Sequence, residues 1–298
     1  MKNNIAKTVK FKGFLCGLLA TFLWGISGTC IQHLSQYYNV SASWMPGFRM
    51  LSAGCILLGF SLFRNGRRTF DIVRDPNGLR GVLLFAIFGL MLNQFCYFSA
   101  IQHSDAGTAT VLQSLSTILV LLFTSLTARR MPKLLQILAV LLALAGVFLI
   151  STQAGEGLAL SGSGLLWGLL AACSFASYLL LSRPVVNRWS SILVTGYGML
   201  FGGIAFTLLM QSWRFWPSLD AFGIFLFFVV VIFGTVIPFS LFLQCVHDVG
   251  PVTGNLVGCF EPLFATVMTA VLLHTAFSGR DLAGFACILA AVILVQLS

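Results

Sequence analysis

Apolar residues run in blocks along this chain, and polar residues gather in the short gaps between them. The blocks fall at 14–34, 43–63, 80–101, 106–127, 133–151, 163–182, 190–210, 221–244, 252–274 and 280–298. A helix crossing the hydrocarbon core of a bilayer needs about 20 mostly apolar residues. The pattern therefore predicts ten membrane-spanning helices, with no stretch left over for a soluble domain.

The chain also resembles itself. Residues 13–20 read GFLCGLLA and residues 164–171 read GLLWGLLA, opening spans one and six. Residues 87–89 and 232–234 both read IFG, in spans three and eight. At that same offset Ala139 falls on Gly284 and Gly146 on Ala291. Matches that keep their order and nearly their offset predict two repeats, 1–155 and 156–298, of five helices each. Because five is odd, the second repeat enters from the opposite side, the inverted construction common in secondary transporters. The fold class expected is an all-α integral membrane protein of ten helices in two inverted repeats.

Polar side chains inside a span are costly and normally face a bundle interior or a wet cavity. Span four carries Thr110, Gln113, Ser114 and Thr117 at i, i+3, i+4 and i+7, one polar face on an otherwise apolar helix. Span three adds Asn93 and Gln94, span one Trp24 and Ser27, span six Phe175 and Tyr178, and span nine Asn255. A cleft between the repeats, walled by aromatics, would gather them as a substrate site. The competing reading makes them hydrogen-bonding glue between helices.

Two ionisable residues fall within spans. Glu261 lies near the middle of span nine, next to Pro262. Hydrocarbon disfavours a charged carboxylate, so the group would hold a coupling proton or pair with a substrate's ammonium. It also shares a helical face with Gly250, Gly254 and Gly258, a stripe suited to close packing, where it would be structural. Arg49, six residues into span two, is expected to snorkel to the interface, with a salt bridge to Glu261 as the alternative that spacing does not show. Pro238 marks an expected bend in span eight.

Hydrophobic residues make up 58% of the 298 and charged ones only 8%, too little ionic surface for a soluble fold of this size. The net charge of +9 comes from cations clustered in short loops, which signals membrane topology and not nucleic acid. With the amino terminus inside, Lys2, Lys7, Lys10, Lys12, Arg64, Arg67, Arg68, Arg74, Arg80, Arg129, Arg130, Lys133, Arg183 and Arg188 lie on the inner side. Only Arg214 and Arg280 then lie outside. Both termini are thus expected to be cytoplasmic. Segment 14–34 lacks a small-residue cleavage site and reads as a retained span. The eight cysteines fall in apolar windows without a Cys-x-x-Cys pair, and the four histidines lack metal-site spacing. No cofactor or metal is expected. GxxxG patterns at 13–17, 164–168 and 198–202 are read as packing within one chain, so a monomer is expected.

Over nearly its whole length the chain resembles the ten-helix EamA-type members of the drug/metabolite transporter superfamily. The resemblance rests on Leu23-Trp24-Gly25, Phe48-Arg49-Met50-Leu51, AIQHSDAGTATVLQSLS at 100–116 and CFEPLFA at 259–265. It implies an inner-membrane carrier of metabolites, often amino acids or related solutes leaving the cell, held in a central cavity. The chain departs from the family in span four, where Thr117 replaces a usual proline. Arg130 and Thr275 stand where an acidic residue often follows spans four and nine.

An ATP-driven pump is excluded from the expectation because no Gly-x-x-x-x-Gly-Lys loop occurs, which leaves an ion gradient, such as protons, or a solute gradient as the energy source. An intramembrane enzyme would need a clustered acid, base, nucleophile or metal set at depth, and only Glu261 and Arg49 are ionisable there. A non-transporting sensor is a third class. A phosphate ester or nucleotide sugar would call for several cations at depth. One carboxyl, one arginine, amides and aromatics suit a neutral, zwitterionic or cationic solute better. Amino acids come first, with amphipathic cationic drugs as the alternative.

Overall fold

Lipid offers backbone amides no partner, so a chain this apolar satisfies them by coiling on itself. The computed structural model describes residues 2–103, 106–151, 162–273 and 278–296. The expected repeat boundary at 155/156 lies outside the described residues, as do Ser104, Asp105, His274 and Thr275.

Among the described residues ten helical rods follow one another. They are α1 (Lys2–Tyr38), α2 (Met45–Asn65), α3 (76–103), α4 (106–127), α5 (Leu134–Ser151), α6 (Gly162–Val186), α7 (Ser191–Met210), α8 (221–249), α9 (251–273) and α10 (Gly279–Gln296). Helical turns at Gly66–Phe70 and Asp71–Arg74 lead from α2 into α3. Seven described segments are long and apolar enough to cross a membrane by length and composition, and Leu134–Leu149 is a shorter apolar helix. The protein is an all-α membrane protein of two repeats.

Rod starts are fixed by local chemistry. The Asp75 carboxylate accepts from the amides of Asn77 and Gly78 at the start of α3. At the start of α8, 145 residues later, the Asp220 carboxylate accepts from the Gly223 amide at 2.7 Å. Each satisfies amides that the first helical turn leaves open.

Helix pairing shows how the repeats are related. Every main packing pair has an image when α1–α5 are exchanged for α6–α10: α1 on α8 matches α6 on α3, and α1 on α9 matches α6 on α4. The pairs α2 with α7 and α5 with α10 are their own images. At the α2–α7 crossing a Cβ on Gly54 would meet the Leu200 backbone, and one on Gly203 the Leu51 amide. Gly47 likewise faces Phe206 and Thr207, while Gly196 faces Leu57 and Leu58. Residue numbers rise on one helix as they fall on the other, so two equivalent helices run antiparallel through a common axis. That is the signature of an inverted repeat.

Four irregularities mark the rods, of which the bend at Pro238 in α8 was expected. A π turn interrupts α3 at Phe85–Met91 and α8 at Ile232–Val236, each containing one copy of the Ile-Phe-Gly repeat. In α8 the cause is Pro238, which lacks an amide hydrogen and crowds the carbonyl four residues back. In α3 the residue at the same offset is Asn93, and nothing in the structure explains that turn. Rod α4 breaks at Leu115 and α9 at Cys259, where each amide bonds the carbonyl only three residues back. The α9 break sits three residues before Pro262, whereas α4 makes its break with no proline.

Candidate functional site

The π turn in α3 sets the direction of the residues that follow it, and these are the polar ones. Asn93 accepts through its Oδ1 from Gln113 Nε2 at 2.9 Å. One turn further on, the Tyr97 and Thr110 hydroxyls lie 3.1 Å apart. Antiparallel packing of α3 on the first half of α4 thus makes a two-rung polar ladder. Gln94 is 5% exposed, and its Nε2 has no protein partner. Tyr97 was missed from the sequence, although its place one turn beyond Asn93 is a signal that could have found it.

The predicted polar face of α4 is not continuous, which corrects the reading from periodicity. The break at Leu115 ends it: Ser114 donates to the Val111 carbonyl, and buried Thr117 donates to the Ser114 carbonyl. Thr117 also lies beside the Cys259 thiol, next to the α9 break. Asn255, just before that break, donates to Ser116 Oγ at 3.0 Å in a buried contact. These residues tie the two broken rods together across the repeats, which is the glue role.

Aromatics form the second feature. The Trp24 ring lies 5.0 Å from Phe239 and 4.9 Å from Phe242. Tyr178 stacks on Phe175 at 5.6 Å and tilts against Phe85 at 5.4 Å. Rods α1, α3, α6 and α8 thus share one aromatic platform; Tyr178 is buried within it and Trp24 sits half-buried at its edge. The Tyr178 hydroxyl finds no protein partner. Ser27, its counterpart in the first repeat, donates to the Trp24 carbonyl and packs against Gly234 in the π turn of α8. Tyr178 meets Gly89 in the π turn of α3 in the same way. Phe239 and Phe242 were not expected from sequence, because a phenylalanine in an apolar run carries no signal of its own.

Two charges complete the arrangement. Arg49 does not snorkel, contrary to expectation: it is 6% exposed, and its Nε has no partner. The α2–α7 crossing holds that stretch of α2 inside the bundle. Glu261 and Tyr97 are each half-buried. The Gly250–Gly254–Gly258 stripe is not one packing face. Gly250 has φ +87 and caps the start of α9, Gly254 packs on Val246, and Gly258 has only ordinary contacts.

The EamA-like transporter family model matches the chain twice, over residues 11–152 and 162–297. An uncharacterized inner membrane transporter of Salmonella typhimurium, YicL, is 32% identical over 96% of this chain and 95% of its own length. A WAT1-related chloroplastic protein of Arabidopsis thaliana is 24% identical, with 92% and 67% of the two chains aligned. A solved structure described only as that of a protein superposes with a TM-score of 0.79 at 19% identity, covering 96% of this chain and 97% of that one. With both halves of its sequence and a pseudo-two-fold bundle accounted for in this way, the chain belongs to the EamA-like transporter family.

Proposed function

We propose that this membrane transporter is a secondary carrier exporting a small neutral or zwitterionic organic metabolite, amino acids first, by alternating access through a cavity between its repeats. Trp24, Ser27, Asn93, Gln94, Thr110, Gln113, Thr117, Tyr178 and Asn255 are the set from which the substrate contacts come. Asn93, Gln94, Gln113, Thr110 and Tyr178 form the core of that set, while Ser27, Thr117 and Asn255 brace the rods around it. Glu261 is the group that takes a coupling proton or a substrate ammonium. A proton gradient supplies the energy. The carrier works as a monomer in the inner membrane, with both termini cytoplasmic. It needs no cofactor or metal and binds no nucleic acid.

The observation that carries this reading is unspent hydrogen-bonding capacity. Gln94 Nε2 and the Tyr178 hydroxyl are buried without protein partners, and a buried donor left unpaired costs about 1–3 kcal/mol. A bundle that merely filled membrane would gain by replacing them; a carrier needs them for its solute. The aromatic platform supports the second reading, efflux of amphipathic cations, since cations are attracted to ring faces.

Metabolite profiling of medium from overexpressing and deletion cells tests the proposal, with counterflow in proteoliposomes as confirmation. An extracellular excess of amino acids that depends on the gene supports it; an excess of sugar nucleotides or phosphate esters refutes it. Coupling through Glu261 predicts that Glu261→Gln flattens the pH dependence of flux. An unchanged pH series in that variant would retire coupling there.

A further inference from the structure

Arginines crowd the short connection that leads from α2 into α3: Arg64 in the last turn of α2, Arg67 and Arg68 in the turn Gly66–Phe70, and Arg74 at the end of the turn Asp71–Arg74. The connection is folded, not slack. Thr69 and Ile72 are fully buried. The Thr69 and Ser61 hydroxyls lie 3.0 Å apart, and Tyr197 of α7 donates to the Thr69 carbonyl at 3.2 Å. With Thr69 and Ile72 turned in, Arg64, Arg67 and Arg68 are exposed. The neighbouring carboxylates are engaged elsewhere, Asp71 with Arg74 and Asp75 with Arg188, each at 3.9 Å. Among the described residues no ion pair neutralises Arg64, Arg67 or Arg68.

Apolar surface runs up to these charges. Ile56, Phe60 and Phe63 are exposed at i, i+4 and i+7 along one face of α2, Phe63 at 93%. A Cβ on Gly59, between them, would meet nothing within 4 Å. A lipid-facing stripe therefore gives way to cations within a turn, as acyl chains give way to headgroups. Topology demands cations on this side of the membrane, but a slack loop serves topology as well as a fixed one. The other repeat provides the comparison. The connection from α7 to α8 makes the same kind of turn at Ser212–Phe215 and is tied down in a similar way, Ser212 Oγ donating to the Ser43 carbonyl at 2.5 Å. It exposes Trp213, Phe215 and Trp216, with Arg214 as its one cation. Such a turn thus folds without a cluster of arginines. We propose that the α2–α3 connection is a binding site for an anionic phospholipid, Arg64, Arg67 and Arg68 holding the headgroup phosphate while Ile56, Phe60 and Phe63 seat an acyl chain. A guanidinium presents a planar fork suited to phosphate oxygens. In the orientation proposed above the lipid belongs to the cytoplasmic leaflet, where anionic headgroups attract such clusters. Because Tyr197 ties this connection to α7, a lipid bound there stabilises the α2–α7 pair whatever solute is carried.

Competition between phosphatidylglycerol and phosphatidylcholine of the same acyl chains for the detergent-purified full-length protein, read by native mass spectrometry, tests the site. An arginine at an anionic headgroup is worth about fivefold in affinity, so the arginine trio predicts a preference for phosphatidylglycerol of about a hundredfold. Arg67→Gln with Arg68→Gln should cut that preference to about fivefold. Arg129→Gln with Arg130→Gln, which removes exposed cations from another loop on the same side, should leave it unchanged. All of these positions are exposed, so folding is not at stake, and Arg67→Lys with Arg68→Lys should keep most of the preference. Glycerophosphoglycerol, the same headgroup without acyl chains, should not compete. Equal binding of the two lipids would overturn the proposal, as would an equal loss in both glutamine pairs, which is the mark of diffuse surface charge. Competition by the free headgroup would overturn it too, by showing a site for soluble phosphates. The carrier reading stands in each case.

Discussion

A methyl group added at Gly54 should force α2 and α7 apart. The new Cβ would lie 2.6 Å from the Leu200 backbone nitrogen, 2.8 Å from its Cα and 2.9 Å from its Cβ. All three atoms belong to or adjoin the main chain, so no rotamer change relieves the clash. Carbon contacts are comfortable at about 3.5 Å, so the crossing must widen by nearly 1 Å. Overpacking of this kind costs about 1–3 kcal/mol. The substitution also gains about 0.5–1 kcal/mol of helix propensity, which leaves a net loss of up to about 2.5 kcal/mol for Gly54→Ala. The control is on the same helix: a Cβ on Gly59 meets nothing within 4 Å, so Gly59→Ala keeps the propensity gain alone. Comparative thermal unfolding in detergent should place Gly54→Ala a few degrees below wild type, about 2–4 °C per kcal/mol for a chain of this size, and Gly59→Ala at or above it. A Gly54→Ala protein as stable as Gly59→Ala would show that the seam is slack and that the antiparallel crossing does not fix the repeats.

Three further outcomes are expected. Tyr178→Phe removes a buried hydroxyl with no protein partner; it should leave stability unchanged or raise it by about 1 kcal/mol while lowering flux in proteoliposomes, and unchanged flux would exclude the hydroxyl from the substrate path. Asn255→Ala should cost about 1 kcal/mol, with a double-mutant cycle against Ser116→Ala recovering the coupling of their 3.0 Å bond; strict additivity would refute it. The Gly223 amide and then the Tyr38 hydroxyl, 2.7 Å from Oδ1, hold the Asp220 carboxyl below its ordinary value of 3.8. A depressed carboxyl contributes stability above its unfolded value and loses it as the pH falls through the folded one. The stability gap between wild type and Tyr38→Phe should therefore be full at pH 7 and shrink only below about pH 3.8, and a gap that closed near neutrality would contradict the assignment.

The succession of rods and their duplication were legible in the sequence because the bilayer leaves few choices, whereas some ends were not: α1 begins at Lys2 and not at 14. A block of about 20 apolar residues has one stable form in lipid, and repeated GFLCGLLA-type and IFG segments mark equivalent rods whatever the packing. The same logic found Asn93 and Gln113, since long amides at depth need partners. The continuity of the span-four polar face and the direction of Arg49 were misjudged. Periodicity assumes an unbroken helix, so it drew one polar face through Leu115, where α4 in fact breaks and turns Thr117 back on its own backbone. The snorkelling expected of Arg49 failed because reach to the interface depends on which way α2 is turned, and the α2–α7 seam turns it inward.

What the sequence determined by itself is what solvent dictates residue by residue: a chain with this much apolar surface lies in lipid as helices, in two similar halves. What the tertiary structure alone decided is which rods touch and what their facing sides enclose. Pairing α3 with α4, α1 with α8, and α2 with α7 depends on contacts between residues far apart in the chain, where a glycine's missing side chain matters only opposite a particular neighbour. Gln94, Tyr178, Arg49 and Glu261 therefore have their meaning from packing: the same four side chains on differently rotated helices would be ordinary interhelical contacts.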